Sequence, residues 1–120
     1  MAEDNLVNQK LASLLFKKLG VEPDIVPTGS DAVSKVMANT YDLVFMDVYM
    51  PEMDGTEATR IIKEELAEQS PFVVALTAAS MDGEREKFLA AGMDDYLAKP
   101  LNRKTLEEFF EKFLQLKAQE

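Results

Sequence analysis

The chain has 120 residues, 47% hydrophobic and 29% charged, with no cysteine, no histidine and a formal charge of −9, enough for one domain with its own core. Without cysteine or histidine, no disulfide framework, thiolate nucleophile, Ser-His-Asp triad, imidazole zinc site or histidine base can be assembled from it. The acidic balance repels a nucleic-acid backbone, so no direct nucleic-acid contact is expected.

In chain order, Val7, Leu11, Leu14, Leu15 and Leu19 recur at helical spacing, with Gly20 placed to end that helix. Asp24-Ile25-Val26 is a short extended candidate between two prolines. Ser30 or Asp31 is suited to cap a helix carrying Ala32, Val33, Val36 and Met37. Tyr41 to Asp47 is a near-continuous apolar run closed by an acid. Pro51 to Gly55 is loop chemistry, and Asp54 or Thr56 caps the next helix, whose stripe is Ala58, Ile61, Ile62 and Leu66. Pro71 to Thr77 is a second apolar run, closed by a hydroxyl. A helix over about Asp82 to Ala91 ends at Gly92, and Tyr96-Leu97-Ala98 is a strand closed by Lys99-Pro100. A final helix carries Leu106, Phe109, Phe110, Phe113, Leu114 and Leu116 on a wide apolar face.

Strands alternating with amphipathic helices indicate an α/β fold, a doubly wound parallel sheet covered on both faces. The unbroken apolar runs agree, because parallel strands buried on both sides lose period-two alternation. The longest such runs are too short to cross a bilayer, and Met1-Ala2-Glu3-Asp4 lacks the basic and apolar regions of a signal peptide. A cytoplasmic protein with no membrane contact is therefore expected.

Three successive strands end in Asp47, Thr77 and Lys99. In an open parallel sheet the carboxyl ends share one rim, where ligands bind. Glu3 and Asp4, just before the first helix, are expected at the same rim. Three acids with one lysine suit an oxygen-ligand site for Mg²⁺ facing a phosphate.

These segments resemble the receiver domain of two-component response regulators over nearly the whole chain. The resemblance rests on Glu3-Asp4-Asn5 with Asn8-Gln9, on Met46 to Gly55, on Ala75 to Ala78, and on Ala91 to Pro100, all in register. The first two look most like receivers of hybrid sensor histidine kinases. The resemblance implies a flavodoxin-like sheet of spatial order 2-1-3-4-5 and Mg²⁺ as cofactor. It implies Asp47 as phosphoacceptor, attacking a phosphohistidine on a histidine kinase or histidine phosphotransfer protein. Asp4 and Asp47 would supply carboxylate oxygens to Mg²⁺, Tyr49 its backbone carbonyl, and Glu3 a water-mediated contact. Lys99, the Thr77 hydroxyl and the Ala78 amide would hold phosphoryl oxygens, with a cis bond at Lys99-Pro100. Thr77 and Tyr96 match the family's switch pair, through which the added charge would change a protein-binding surface.

One feature departs from that pattern. The family's first strand, the middle of its sheet, has about five residues of ordinary strand length, whereas only Met1 and Ala2 precede Glu3. A truncated central strand is therefore expected, leaving Glu3 and Asp4 poorly held, Mg²⁺ binding weak, and a strand edge open to homodimerisation. Two other functions fit less of the sequence. An Asp-nucleophile phosphatase of the haloacid dehalogenase type wants a second Asp where Tyr49 stands. A non-phosphorylated interaction module or inactive truncated variant is favoured by the missing strand, but would not need Asp47, Thr77 and Lys99 together. The expectation is thus a signalling module that turns over no external substrate and is not an enzyme in that sense.

Overall fold

Leu43–Asp47 (β1) and Phe72–Thr77 (β2) pair in parallel, and β2 pairs in parallel with Asp95–Ala98 (β3), giving the order β1-β2-β3. This is a computed structural model, and it describes residues 1–48, 50, 53–77, 85–99 and 101–118. Helices Leu6–Lys18 (α1), Gly29–Ala38 (α2), Gly55–Leu66 (α3), Arg85–Ala90 (α4) and Arg103–Ala118 (α5) alternate with the strands. Among the described residues, no helix is long and apolar enough to cross a membrane.

Alternate residues of the apolar strands serve opposite faces. Val44, Met46, Val73 and Ala75 pack with Ala32 and Val36 of α2, Ala58 and Ile62 of α3, and Phe88 of α4. Phe45, Val74 and Leu76 pack with Ala12, Leu15 and Phe16 of α1 and with Leu106, Phe109 and Phe113 of α5. Phe45 sits among the rings of Phe16, Phe109 and Phe110 at centroid separations of 5.2, 5.6 and 6.0 Å, tilted and edge-on contacts that aromatic quadrupoles favour. The sheet is thus a middle layer with both faces covered, as the unbroken apolar runs require.

The N-terminus corrects the expectation of a poorly held Glu3. Residues 1–3 lie between Val26 and the upper half of β1, with Ala2 bridging in parallel to both Val26 and Met46. Four backbone hydrogen bonds hold it there. Ala2 N donates to Phe45 O (2.9 Å), Asp47 N to Ala2 O (3.1 Å), Glu3 N to Val26 O (2.9 Å) and Val26 N to Met1 O (2.9 Å). Counting these short segments as strands, the order is 24–26, 1–3, β1, β2, β3, which is the expected 2-1-3-4-5. Ala2 already uses the backbone edge at Phe45 and Asp47, so the edge expected to be open for a second chain is closed there.

The caps and faces also show where periodicity misled. Thr28, rather than Ser30 or Asp31, caps α2 by accepting from Asp31 N. Asp54 caps α3, accepting from Glu57 N at 2.9 Å while the Thr56 hydroxyl donates to it. Gly20 and Gly92 follow α1 and α4 with φ of 79° and 99°, the left-handed backbone for which glycine has no steric cost. On α1 the buried residues are Ala12, Leu15 and Phe16. Val7 and Leu14 of the expected stripe are exposed, as are Leu114 and Leu116 of α5. Residues 82–84 of the fourth expected helix lie outside the described residues.

Candidate functional site

The carboxyl ends of β1, β2 and β3 and the segment leading into α1 converge on one rim. Asp47 ends β1, opposite Leu76 of β2. Thr77 ends β2, opposite Ala98, and its carbonyl accepts from Lys99 N at 2.9 Å. The parallel register therefore brings positions 47, 77 and 99 to the carboxyl ends of neighbouring strands, the rim where open α/β sheets bind ligands. Asp47 and Thr77 are both buried.

Lys99 Nζ lies 2.8 Å from Asp47 Oδ2 and 3.0 Å from Glu3 Oε2, bridging the two carboxylates. Glu3 is wholly buried, and Asn8 Nδ2 donates to its other oxygen, Oε1, at 2.6 Å. Carboxylate oxygens of Glu3, Asp4 and Asp47 lie within 4.8 Å of one another, with Asp4 exposed. Two glycines let the chain close around this rim. A Cβ on Gly55 would stand 2.2 Å from the Asp47 carbonyl oxygen, and one on Gly29 would stand 2.4 Å from that of Met53. Only glycine permits α3 to start so close to β1.

The electrostatics follow from crowding two acids under one lysine. Burial pushes the Asp47 carboxyl up to about 6, the neighbouring Glu3 carboxylate pushes the same way, and Lys99 pulls it back. Burial also works to raise Glu3. Hydrogen bonds from Asp47, Asn8 and Lys99 outweigh it and hold Glu3 below its ordinary range. Lys99 is raised: burial opposes its charge, but its hydrogen bonds to Asp47 and Glu3 favour it more. A carboxylate surrounded by an ammonium and a second acid is the setting in which protonation states are displaced toward function.

Of the expected site residues, Glu3, Asp47 and Lys99 are in direct contact, Asp4 adjoins them, and Thr77 stands on the same rim. Tyr96 lies one strand away on β3, opposite Ala75 and about one-third exposed (38%). Tyr49, Ala78 and Pro100 lie outside the described residues. Gly55 and the Asn8 amide were not marked as site residues by sequence reasoning. The spacing of Asn8 from Glu3, one helical turn beyond the Asn5 cap, is the signal that could have found it.

The family model described as "Response regulator receiver domain" matches residues 1–111. The chain is 42% identical over 115 residues to "Hybrid signal transduction histidine kinase I" of Dictyostelium discoideum, covering 90% of this chain and 7% of that protein. Curated relatives such as this one are thus many times longer than the chain. Among solved structures, it is similar to the receiver domain of sensor histidine kinase PA1611 from Pseudomonas aeruginosa, crystallised with magnesium in its active site cleft. That likeness has TM-score 0.83 and 38% identity, over 92% of this chain and 91% of that one. A co-crystal structure of the Saccharomyces cerevisiae histidine phosphotransfer protein Ypd1 and the receiver domain of its response regulator Ssk1 also matches. There the TM-score is 0.82 with 28% identity, over 88% of this chain and 80% of that one.

Proposed function

Because this chain belongs to the response regulator receiver domain family of two-component phosphorelays, we propose that Asp47 is its phosphoacceptor. The observation that carries the reading is the Lys99 ammonium held against Asp47 and Glu3 at the carboxyl rim of the sheet. The phosphodonor is a phosphohistidine of a histidine kinase or histidine phosphotransfer protein. The paired Ypd1 and Ssk1 receiver in a structural neighbour supports that class of partner.

In the transfer, an Asp47 carboxylate oxygen attacks phosphorus in line with the histidine nitrogen. A P–O bond forms, the P–N bond breaks, and its electron pair stays on the imidazole nitrogen, which takes up a proton. Lys99 follows the charge onto a phosphoryl oxygen, and the Thr77 hydroxyl at the end of β2 takes another. The fixed position of Lys99 matters because Coulomb attraction is stronger at a part-buried rim than in bulk water.

The donor set fits Mg²⁺, since three carboxylates meet in a cluster of hard oxygen atoms and such ligands suit that ion. Asp4 and Asp47 would hold it directly, with Glu3 acting through water. When bound, Mg²⁺ masks negative charge between the carboxylate and the incoming phosphoryl group. The magnesium in the PA1611 receiver's cleft supports this assignment.

The phosphoryl group's charge of about −1.5 to −2 replaces the single charge of the Asp47 carboxylate, so the rim gains about −0.5 to −1. Thr77 moves toward it, and the part-exposed Tyr96 ring turns into the vacated space, altering the surface around β3 and α5 that a partner reads. The domain turns over no external metabolite, catalysing only its own phosphorylation and dephosphorylation, and works in the cytoplasm. Incubation with Mg²⁺ and acetyl phosphate, followed by intact mass, tests the reading. One added phosphoryl group in the wild type and none in Asp47→Asn is the expected result. Equal addition to both proteins would overturn it.

A further inference from the structure

Glu3 is a carboxylate with no exposed surface, yet it is tied on three sides. Lys99 Nζ meets Oε2 at 3.0 Å, and Asn8 Nδ2 donates to Oε1 at 2.6 Å. The neighbouring Gln9 Nε2 donates to the Glu3 backbone carbonyl, also at 2.6 Å. A carboxylate only accepts, so the amide nitrogen of Asn8 must face it. The first turn of α1 thereby grips Glu3 by both its carboxylate and its main chain.

The Asn8 side chain has no other duty in the helix cap. Its backbone N–H is the group that Asn5 Oδ1 accepts from, at 3.1 Å. That bond survives truncation of the side chain. Asn8 also lines, with Glu3, Leu11, Leu76, Lys99 and Leu101, a cavity of about 380 Å³ beside the rim. Removing its amide would leave Oε1 without this donor and open it to that cavity. The carboxylate would then be held from the Lys99 and Asp47 side alone, and Oε2 would lose the second anchor that fixes its aim.

We propose that Asn8 is a positioning residue for the cation site at Asp47. Its amide sets the rotation of the Glu3 carboxylate and so the placement of Oε2, the oxygen that meets Lys99. This rests on the reading of the acidic cluster as a Mg²⁺ site serving Asp47. Mg²⁺ tolerates little departure from octahedral geometry, and losing an outer hydrogen-bond partner of a metal site typically weakens binding about 10–100-fold.

The test is a Mg²⁺ titration by calorimetry on the wild type, Asn8→Ala, Glu3→Gln and the double variant, with circular dichroism confirming the fold of each. Asn8→Ala is expected to raise the Mg²⁺ dissociation constant at least about tenfold. Because Asn8 acts through Glu3, it should add less than about twofold in the Glu3→Gln background. A merely structural role for Asn8 would weaken binding equally in both backgrounds, and that result overturns the proposal. Unchanged affinity in Asn8→Ala overturns it too. Acetyl phosphate labelling of the wild type and Asp47→Asn, run alongside, separates the two ideas. Absent or Asp47-independent labelling removes the phosphoacceptor reading, whereas normal labelling with additive Mg²⁺ effects removes only the role of Asn8.

Discussion

Lys99 Nζ and Asp47 Oδ2 lie 2.8 Å apart although 52 positions separate them in the chain. The parallel register of β1, β2 and β3 makes this contact, because each strand delivers its last polar residue to the same rim. The same lysine reaches Glu3, so one ammonium offsets two buried carboxylates.

Removing that ammonium should separate stability from chemistry. Breaking a buried ion pair from one side costs about 3–5 kcal/mol, and the part-exposed Lys99 side chain (20%) puts Lys99→Ala at the low end or below. Urea unfolding in metal-free buffer at pH 7 is expected to show a loss of about 1–3 kcal/mol. Added Mg²⁺ should stabilise the variant more than the wild type, because a cation then fills the place of the lost charge. Phosphoryl uptake at saturating Mg²⁺ should still be slower. A variant as stable as the wild type would show that the pair carries no weight in the fold.

The pH dependence has a definite sign. Burial raises the folded Asp47 carboxyl to about 6, from an ordinary value of 3.8. Between these values the folded chain holds a proton that the unfolded chain has released. Stability from this group is therefore full at low pH, falls as pH rises through the interval, and is lost above about 6. Asp47→Asn removes the penalty, so at pH 7 without metal it should be more stable than the wild type. Near pH 4 the two proteins should converge. Denaturant titrations across pH 4 to 7 read this, and a gap that does not change with pH would contradict it.

Gly55→Ala tests the close approach of α3 to β1. The new Cβ would fall 2.2 Å from the Asp47 carbonyl oxygen and 2.9 Å from Met46 Cγ. Backbone must move, because the nearest obstacle is main chain. The expected cost is about 2–4 kcal/mol by chemical denaturation, in the range of severe overpacking and strain, together with weaker Mg²⁺ binding. A neutral substitution would mean that the loop between β1 and α3 yields freely.

Much of this was legible because the strong signals were local. The apolar runs ending in Asp47 and Thr77 are long and bounded, and the same run supplies both faces of the sheet through Val44 and Met46 on one side and Phe45 on the other. The helix faces were harder to read. Val7 and Leu14 fit the period of α1, yet Ala12, Leu15 and Phe16 are the residues it buries. Several rotations of this helix satisfy the period, and packing against the sheet and α5, such as the rings of Phe45 and Phe110 against Phe16, chooses among them. The N-terminus misled for a different reason. Two residues are too few to read as a strand, but their backbone groups find partners on both sides, at Val26 and at Phe45 and Asp47. Pairing partners that distant in sequence leave no local trace. The Asn8 contact is local, five residues from Glu3, but an asparagine inside a first helical turn reads as solvated surface until the buried acid beneath it is seen.

The most direct test of the account is where the phosphoryl group sits. Labelling with acetyl phosphate and Mg²⁺, reduction with borohydride, and peptide mass mapping would convert an aspartyl phosphate into homoserine at its own position. The account requires homoserine at position 47 and at no other acid. Homoserine at Asp4, at Asp54 or nowhere would contradict it.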